Sequence, residues 1–324
     1  MILFAILAAL HITAHVTPLS GDTGWDYITT DPAMHRVFVA HGDRITVIDS
    51  ATHKEIGTIP ANGAHGVALA PDLKRGFSSN GRGNDVTVFD YESLKPLASW
   101  KTTGENPDAI LYDAESKRLF TFNGRGKNAT VFNATSGEVV ATIPMGGKPE
   151  FAQSDEKGHV YVNVEDTNEM AEIDAKESKV SRRWPLTGCE SPSGLAIDRA
   201  HRRLMSVCEN KIMAISDIET AKVVVTAQIG QGVDGVAFDA DKGLAFSANG
   251  RDGNMTVVSI KDVKDAVTSS IAGTIPTAFG ARTIAIDPKT HRLYLPTAKL
   301  TPPEKPGDRP KMVPGTFEVI ELGE

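Results

Sequence analysis

Residues 108–133, DAILYDAESKRLFTFNGRGKNATVFN, hold three short runs of strand-forming residues separated by polar turns. AILY, RLFTF and NATVF mix aliphatic and aromatic residues with threonine, whereas DAES and NGRGK carry the Asp, Asn and Gly that set turns. A fourth run, EVVATIP at residues 138–144, follows at once. No apolar period of 3.6 residues crosses the segment, so four short strands are predicted and no helix.

The same design recurs on both sides. ITTDPAMHRVFVAH, AIDRAHRRLMSVC, AFDADKGLAFSAN and AIDPKTHRLYLPT all place a turn residue between two apolar runs. Taking that residue as an anchor gives Asp31, Ala70, Asp113, Asp155, Asp198, Asp239 and Asp287, spaced by 39, 43, 42, 43, 41 and 48 residues. Four strands in a period of about 42 residues is the pattern of a propeller blade, because solenoid repeats of that length carry helices. Seven anchors predict an all-β, seven-bladed β-propeller with four antiparallel strands per blade, forming one domain over residues 11–324. The last repeat supplies HRLYLPT and TFEVIEL and then ends one strand short. HITAHVTPLS, residues 11–20, resembles the outer strand of the other repeats and is expected to close the last blade, removing an exposed edge.

The formal net charge of -7, with no Lys/Arg run interleaved with aromatics, argues against a nucleic-acid partner. Residues 1–10, MILFAILAAL, are apolar but shorter than the roughly 20 residues a spanning helix needs. They read as the core of a signal peptide that lacks a basic n-region, so export is expected, with no membrane span in the mature chain. A monomer in the periplasm, secreted or at the cell surface is the matching expectation.

VYVNVEDTNEMAEID, residues 160–174, and its sister segments resemble the YVTN-repeat, YncE-like propeller family, and the likeness covers residues 11–323. The resemblance implies a seven-bladed propeller in the periplasm or at the surface. It implies little about activity, since the family is functionally diffuse. Lactonase-type propellers and the heavy chains of quinone-dependent amine dehydrogenases share the architecture only and lend no catalytic residue.

Candidate site residues follow from the repeat. Five residues before each anchor stand Asp26, His65, Asp108, Glu150, Ser193, Asp234 and Arg282, all polar. Antiparallel strands bring this set to the face where the second strands end, at His41, Asn80, Asn123, Asn163, Cys208, Asn249 and Thr297. Four carboxylates around a channel mouth raise one another's pKa unless something neutralises them: a divalent metal ion, the internal cations His65 and Arg282, or a cationic ligand. His65, Asp108, Glu150 and Asp234, with Glu190 nearby, could ligate such a metal. His65, Asp108 or Glu150 could then act as a base.

Asn80-Gly81, Asn123-Gly124 and Asn249-Gly250 read either as ligand-facing amides or as two-residue type I′ turns. The arginines that follow, Arg82, Arg125 and Arg251, suit a carboxylate or phosphate, or pair with Asp85, Asp252 and Glu165 around the rim. KLTPPEKPGDRPKMVPG, residues 299–315, carries five prolines and is expected to form a semi-rigid flap over the mouth. Cys189 and Cys208 fall in one blade, where a disulfide is expected and a thiolate metal pair is the alternative.

No Walker loop, dinucleotide fingerprint or GxSxG elbow is present. Three functions fit these residues. The first is an exported propeller binding a small polar molecule, metal ion or protein partner at its channel mouth. The second is a metal-dependent hydrolase, lactonase or lyase. The third is a structural surface or interaction protein without a small-molecule site.

Overall fold

The computed structural model describes residues 13–263, 266–301 and 310–323, so the segment read as a signal peptide lies outside the described residues. The strands there fall into five four-stranded antiparallel sheets, one six-stranded sheet and a small two-stranded ribbon. Among the described residues no helix is long and apolar enough to cross a membrane.

Four of the five four-stranded sheets are built from consecutive strands, as in Pro107–Asp113, Arg118–Asn123, Asn128–Asn133 and Val139–Pro144. The second and third strands are buried on both faces because every sheet is sandwiched between two others. Phe120, Phe122 and Val131 of one sheet meet Val160, Val162 and Ile173 of the next in a single core cluster. The inner strands approach almost backbone to backbone. A Cβ on Gly194 would lie 2.8 Å from the Asp234 carbonyl oxygen, and one on Gly235 would lie 2.9 Å from the Ile284 nitrogen. That crowding explains the small residues that follow the polar ring positions.

The anchor aspartates cap the turn between the first two strands. Asp31 Oδ1 accepts the Ala33 and Met34 N–H groups at 3.1 and 3.3 Å, and Asp113 Oδ2 accepts that of Ser116 at 2.9 Å. Side chains four residues after an anchor tie one sheet to the one before it. Arg202 reaches Asp155 at 2.8 Å, and His291 reaches Asp239 at 2.9 Å. Asp239, Asp241 and His291 could also hold a metal ion. The equivalence with the Arg202–Asp155 joint explains their proximity as an inter-sheet clamp.

Closure pairs the chain ends. Thr13–Pro18 runs antiparallel to Glu318–Gly323 as the outer strand of the last sheet. Thr30 Oγ1 then donates to the Ile286 carbonyl at 2.7 Å, sealing the first sheet against the last.

Counted as hydrogen-bonded sheets of four or more strands, the propeller has six blades and not the seven separate ones predicted. The difference is confined to the six-stranded sheet, which contains both Asp31 and Ala70. Its strands Arg36–Asp49 and Lys54–Ala70 are 14 and 17 residues long. The first repeat has HGDR, residues 41–44, where the second has NGRGND, residues 80–85. This shorter connection leaves Gly42, in the left-handed region at φ 57°, paired with Ala64, so the first two repeats share one ladder.

The disulfide expected in the fifth repeat is present. Cys189 and Cys208 are bonded with Cα atoms 5.5 Å apart, and both are buried beside Trp184, Leu186 and Leu195.

Candidate functional site

The polar ring is placed by a repeated irregularity. In six inner strands the register with the second strand shifts at the ring position: between Trp25 and Ile28, Ala64 and Gly66, Pro107 and Ile110, Pro149 and Ala152, Pro192 and Leu195, and Val233 and Gly235. A β-bulge adds a residue on one strand and re-aims its side chain. Asp26, His65, Asp108, Glu150, Ser193 and Asp234 are the first residues inside those intervals.

The ring is linked by charge pairs. His65 Nδ1 lies 2.5 Å from Asp26 Oδ2 and 3.6 Å from Asp108 Oδ1. Arg282 Nε donates to Asp234 Oδ2 at 2.9 Å, while its Nη2 donates to the Trp25 carbonyl at 2.9 Å and stands 3.8 Å from Asp26 Oδ1. Lys148 Nζ binds Glu150 Oε1 at 2.5 Å and also pairs with Glu165. Ser193 Oγ is 3.5 Å from the Val233 carbonyl oxygen. The internal cations expected from the sequence are therefore in place, and Lys148 joins them.

These contacts set the protonation of the ring. Burial lifts Asp108 to about 7, and the charge of Asp26 adds to the effect. Burial, followed by the charge of Asp108, lifts Glu150 to about 9 against the pull of Lys148. Burial works against the His65 imidazolium, but the hydrogen bond to Asp26 and the charge of Asp108 prevail and raise it to about 9. Burial also raises Asp234, with Arg282 opposing.

Below the ring the channel is filled. Tyr27, next to Asp26, is buried in the core cluster that holds Ala109, Phe120 and Ala152 of other sheets. Its ring meets Phe151 edge-on at 4.9 Å, and its hydroxyl lies 3.4 Å from Glu150 Oε2. The positions after the ring residues read Tyr27, Gly66, Ala109, Phe151, Gly194, Gly235 and Thr283. The two aromatics among small residues were the signal for this plug. Lys148, two residues before Glu150, had no equivalent signal.

The three asparagines followed by Gly do not face a ligand. Asn80, Asn123 and Asn249 are at most 1% exposed. The Asn123 amide donates to Asn128 Oδ1 at 2.7 Å and to Thr130 Oγ1 at 2.9 Å, and it accepts from Thr121 Oγ1 at 3.2 Å. Asn80 makes the same set with Asp85, Thr87 and Ser78, and Asn249 makes it with Asn254, Thr256 and Ser247. The predicted two-residue turns are instead four-residue loops, since Asn80 pairs with Asp85, Asn123 with Asn128 and Asn249 with Asn254. Replacing Asn123 with Ala is expected to lower stability by about 1–3 kcal/mol in urea unfolding, because the buried Thr121 and Thr130 and the half-buried Asn128 lose their bonds. Arg125→Ala in the same loop should change it by no more than about 0.5 kcal/mol.

Arg82, Arg125 and Arg251 are exposed at these loops. They do not form the rim pairs expected from the sequence: Asp85 binds Asn80 and Lys101, Glu165 binds Lys148, and Asp252 accepts the Gln231 N–H. Arg251 is 3.8 Å from Glu209. Glu190 is exposed and stands outside the metal-capable groups found among the described residues, as do Glu150 and Asp234; the group at the ring is Asp26, His65 and Asp108.

A cavity of about 990 Å³ opens on this face. Asp234, Arg282, Ser193 and Trp25 belong to its lining, and Leu300, Pro310 and Met312 cover part of it. Leu300–Thr301 pairs with Lys311–Met312 in the two-stranded ribbon, so both ends of the proline-rich segment lie over the mouth, while residues 302–309 are outside the described residues.

The ring also dictates a pH response. From about 6.5 to 9 the folded chain retains protons on His65 and Glu150 that the unfolded chain releases. More protons bound in the folded state means stability that is complete at lower pH and lost as pH rises, so the urea midpoint should fall across this range. Glu150→Gln should flatten the fall, whereas a midpoint that rises with pH would contradict this account of the ring.

No family model matches the chain, and no curated protein matches it, so the likeness to the YVTN-repeat family has no support beyond the residues quoted above. Solved structures do match. The chain is similar to the structure of U3-55K, at 11% identity and TM-score 0.79, over 96% of this chain and 98% of that one. It is also similar to the RRP9 WD40 repeats, at 11% identity and TM-score 0.80, over 96% and 97%. Kuenenia stuttgartiensis hydrazine synthase aligns at 15% identity and TM-score 0.72, over 85% and 93%. Identities this low establish the fold alone: the chain is an all-β propeller of WD40-like architecture.

Proposed function

We propose that this chain is an exported, YncE-like propeller that binds a small polar ligand in the cup at its channel mouth. The observation that carries the reading is the cavity of about 990 Å³ whose charged lining joins a ring of paired charges, with Tyr27 and Phe151 closing the channel below. A closed cup with convergent polar groups is the usual form of a ligand site. The Cys189–Cys208 bond supports an oxidising compartment, and hence export to the periplasm or cell surface. In this reading the six-stranded sheet is two fused repeats, and the seven anchors still describe a seven-fold ring.

Calorimetric titration of the purified protein with a panel of small anions, cations and zwitterions tests the cup, with Arg282→Gln as the comparison. Saturable binding that Arg282→Gln abolishes supports the reading. Absence of binding across the panel, or equal binding by the variant, overturns it.

A second reading has its own observation. One ligand atom each from Asp26, His65 and Asp108 lies within 4.8 Å of the others, a set of oxygen and nitrogen donors that suits a divalent cation. Such a cation would polarise a substrate in the manner of a hydrolase or lactonase. Elemental analysis of protein purified without chelator decides this. About one divalent ion per chain, lost in Asp108→Asn, supports the metal site, and metal-free protein removes it.

A further inference from the structure

The lining of the cup mixes charged, aromatic and aliphatic side chains, and the mixture specifies a ligand class; the inference rests on the cup being a ligand site. Arg251, Arg282, Trp25 and Phe279 are its cationic and aromatic members. Arg251 follows Gly250, where a Cβ would lie 2.8 Å from that of Arg282, and both arginines line the cavity. Arg282 spends Nε on Asp234 and Nη2 on Trp25 and Asp26, and its guanidinium lies over the Trp25 ring at 5.8 Å. Its position is thus fixed while 37% of the side chain remains exposed.

Phe279 is on the same side, its backbone nitrogen 3.2 Å from where a Cβ on Gly253 would stand, and it is 51% exposed. Leu300 and Met312 roof the space above. The rest of the lining includes the carboxylates Glu165 and Glu209 and the hydroxyls Ser191 and Ser193. Opposite charges on one lining, with an uncovered phenyl ring and an aliphatic roof, match one kind of molecule.

We propose that the cup takes a zwitterionic amphiphile of amino-acid or short-peptide type. The carboxylate sits at Arg251, whose guanidinium fork fits two oxygens, with Nη1 of Arg282 as a further donor on the same lining. The ammonium sits at Glu209, whose side chain is 63% exposed, since Glu165 already binds Lys148. The apolar body covers Phe279 beneath Leu300 and Met312, which removes their surface from water.

The dipeptide leucyl-phenylalanine is the probe, titrated by calorimetry beside its N-acetyl form, its C-terminal amide and glycyl-glycine. The parent should bind, with each analogue at least about tenfold weaker, the loss expected when one anchoring group stays solvated. Phe279→Ser, an exposed position that leaves the fold intact, should bring the parent down to the level of glycyl-glycine. Arg251→Gln should erase the difference between the parent and its amide.

Glycyl-glycine binding as tightly as the parent would overturn the amphiphile and leave the polar cup standing. Equal binding by the N-acetyl form or the amide would overturn the zwitterion in the same way. Failure of all four probes overturns the inference, and the wider panel of small ions then judges the cup by itself.

Discussion

Tyr27→Ala is expected to destabilise the protein by about 3–5 kcal/mol, the range for deleting a large buried aromatic side chain. Tyr27 is 6% exposed and belongs to a cluster supplied mostly by other sheets, so its loss leaves a cavity on the propeller axis that no single sheet can collapse to fill. Tyr27→Phe removes only a hydroxyl that lies 3.4 Å from Glu150, a long hydrogen bond, and should cost less than about 1 kcal/mol. Urea unfolding of the two variants separates packing from hydrogen bonding. A Tyr27→Ala loss below about 1 kcal/mol would mean that the axis is not plugged as described.

Removing the disulfide with the Cys189→Ala, Cys208→Ala double variant should cost about 3 kcal/mol on the chain-entropy estimate for a loop of this length. The sequence separation is 19 residues. Alanine is the better substitute because both sites are apolar, with Cys208 fully buried and Cys189 3% exposed. Reducing agent should lower the urea midpoint of the native protein and leave that of the double variant unchanged. Equal midpoints for the native and variant proteins without reductant would show that hairpin packing alone holds this sheet. The location explains the size of the effect. Cys208 stands where Asn80, Asn123 and Asn249 tie their hairpins through amide hydrogen bonds, so in the fifth repeat a covalent bond takes over the role of that network.

Several features were legible in the sequence because they depend on neighbours a few residues apart. The anchor aspartates mark turns because a carboxylate two or three residues before an N–H group caps it wherever the chain lies. The spacing of about 42 residues and the alternating runs marked the strands. A common offset of five residues from the anchors picked out the ring, since equal strand lengths carry equivalent positions to one end of the sheets. Two cysteines in one repeat, at the ends of neighbouring strands, were enough to pair them.

The partners of those residues were decided by the tertiary structure. Lys148 meets Glu150 and Glu165, and Tyr27 meets a phenylalanine 124 positions along the chain, because the ring brings distant repeats onto one axis. The amides of Asn80, Asn123 and Asn249 could have faced solvent or the hairpin; the hairpin won because each loop is four residues long and a threonine stands ready across the strand. The sharing of one ladder by the first two repeats depended on a connection two residues shorter than its equivalent. Local periodicity determines which residues form strands, but hydrogen bonding across space decides where one sheet ends. The shared lining of the cup by Arg251, Phe279 and Arg282 likewise appears only when distant repeats meet at the channel mouth.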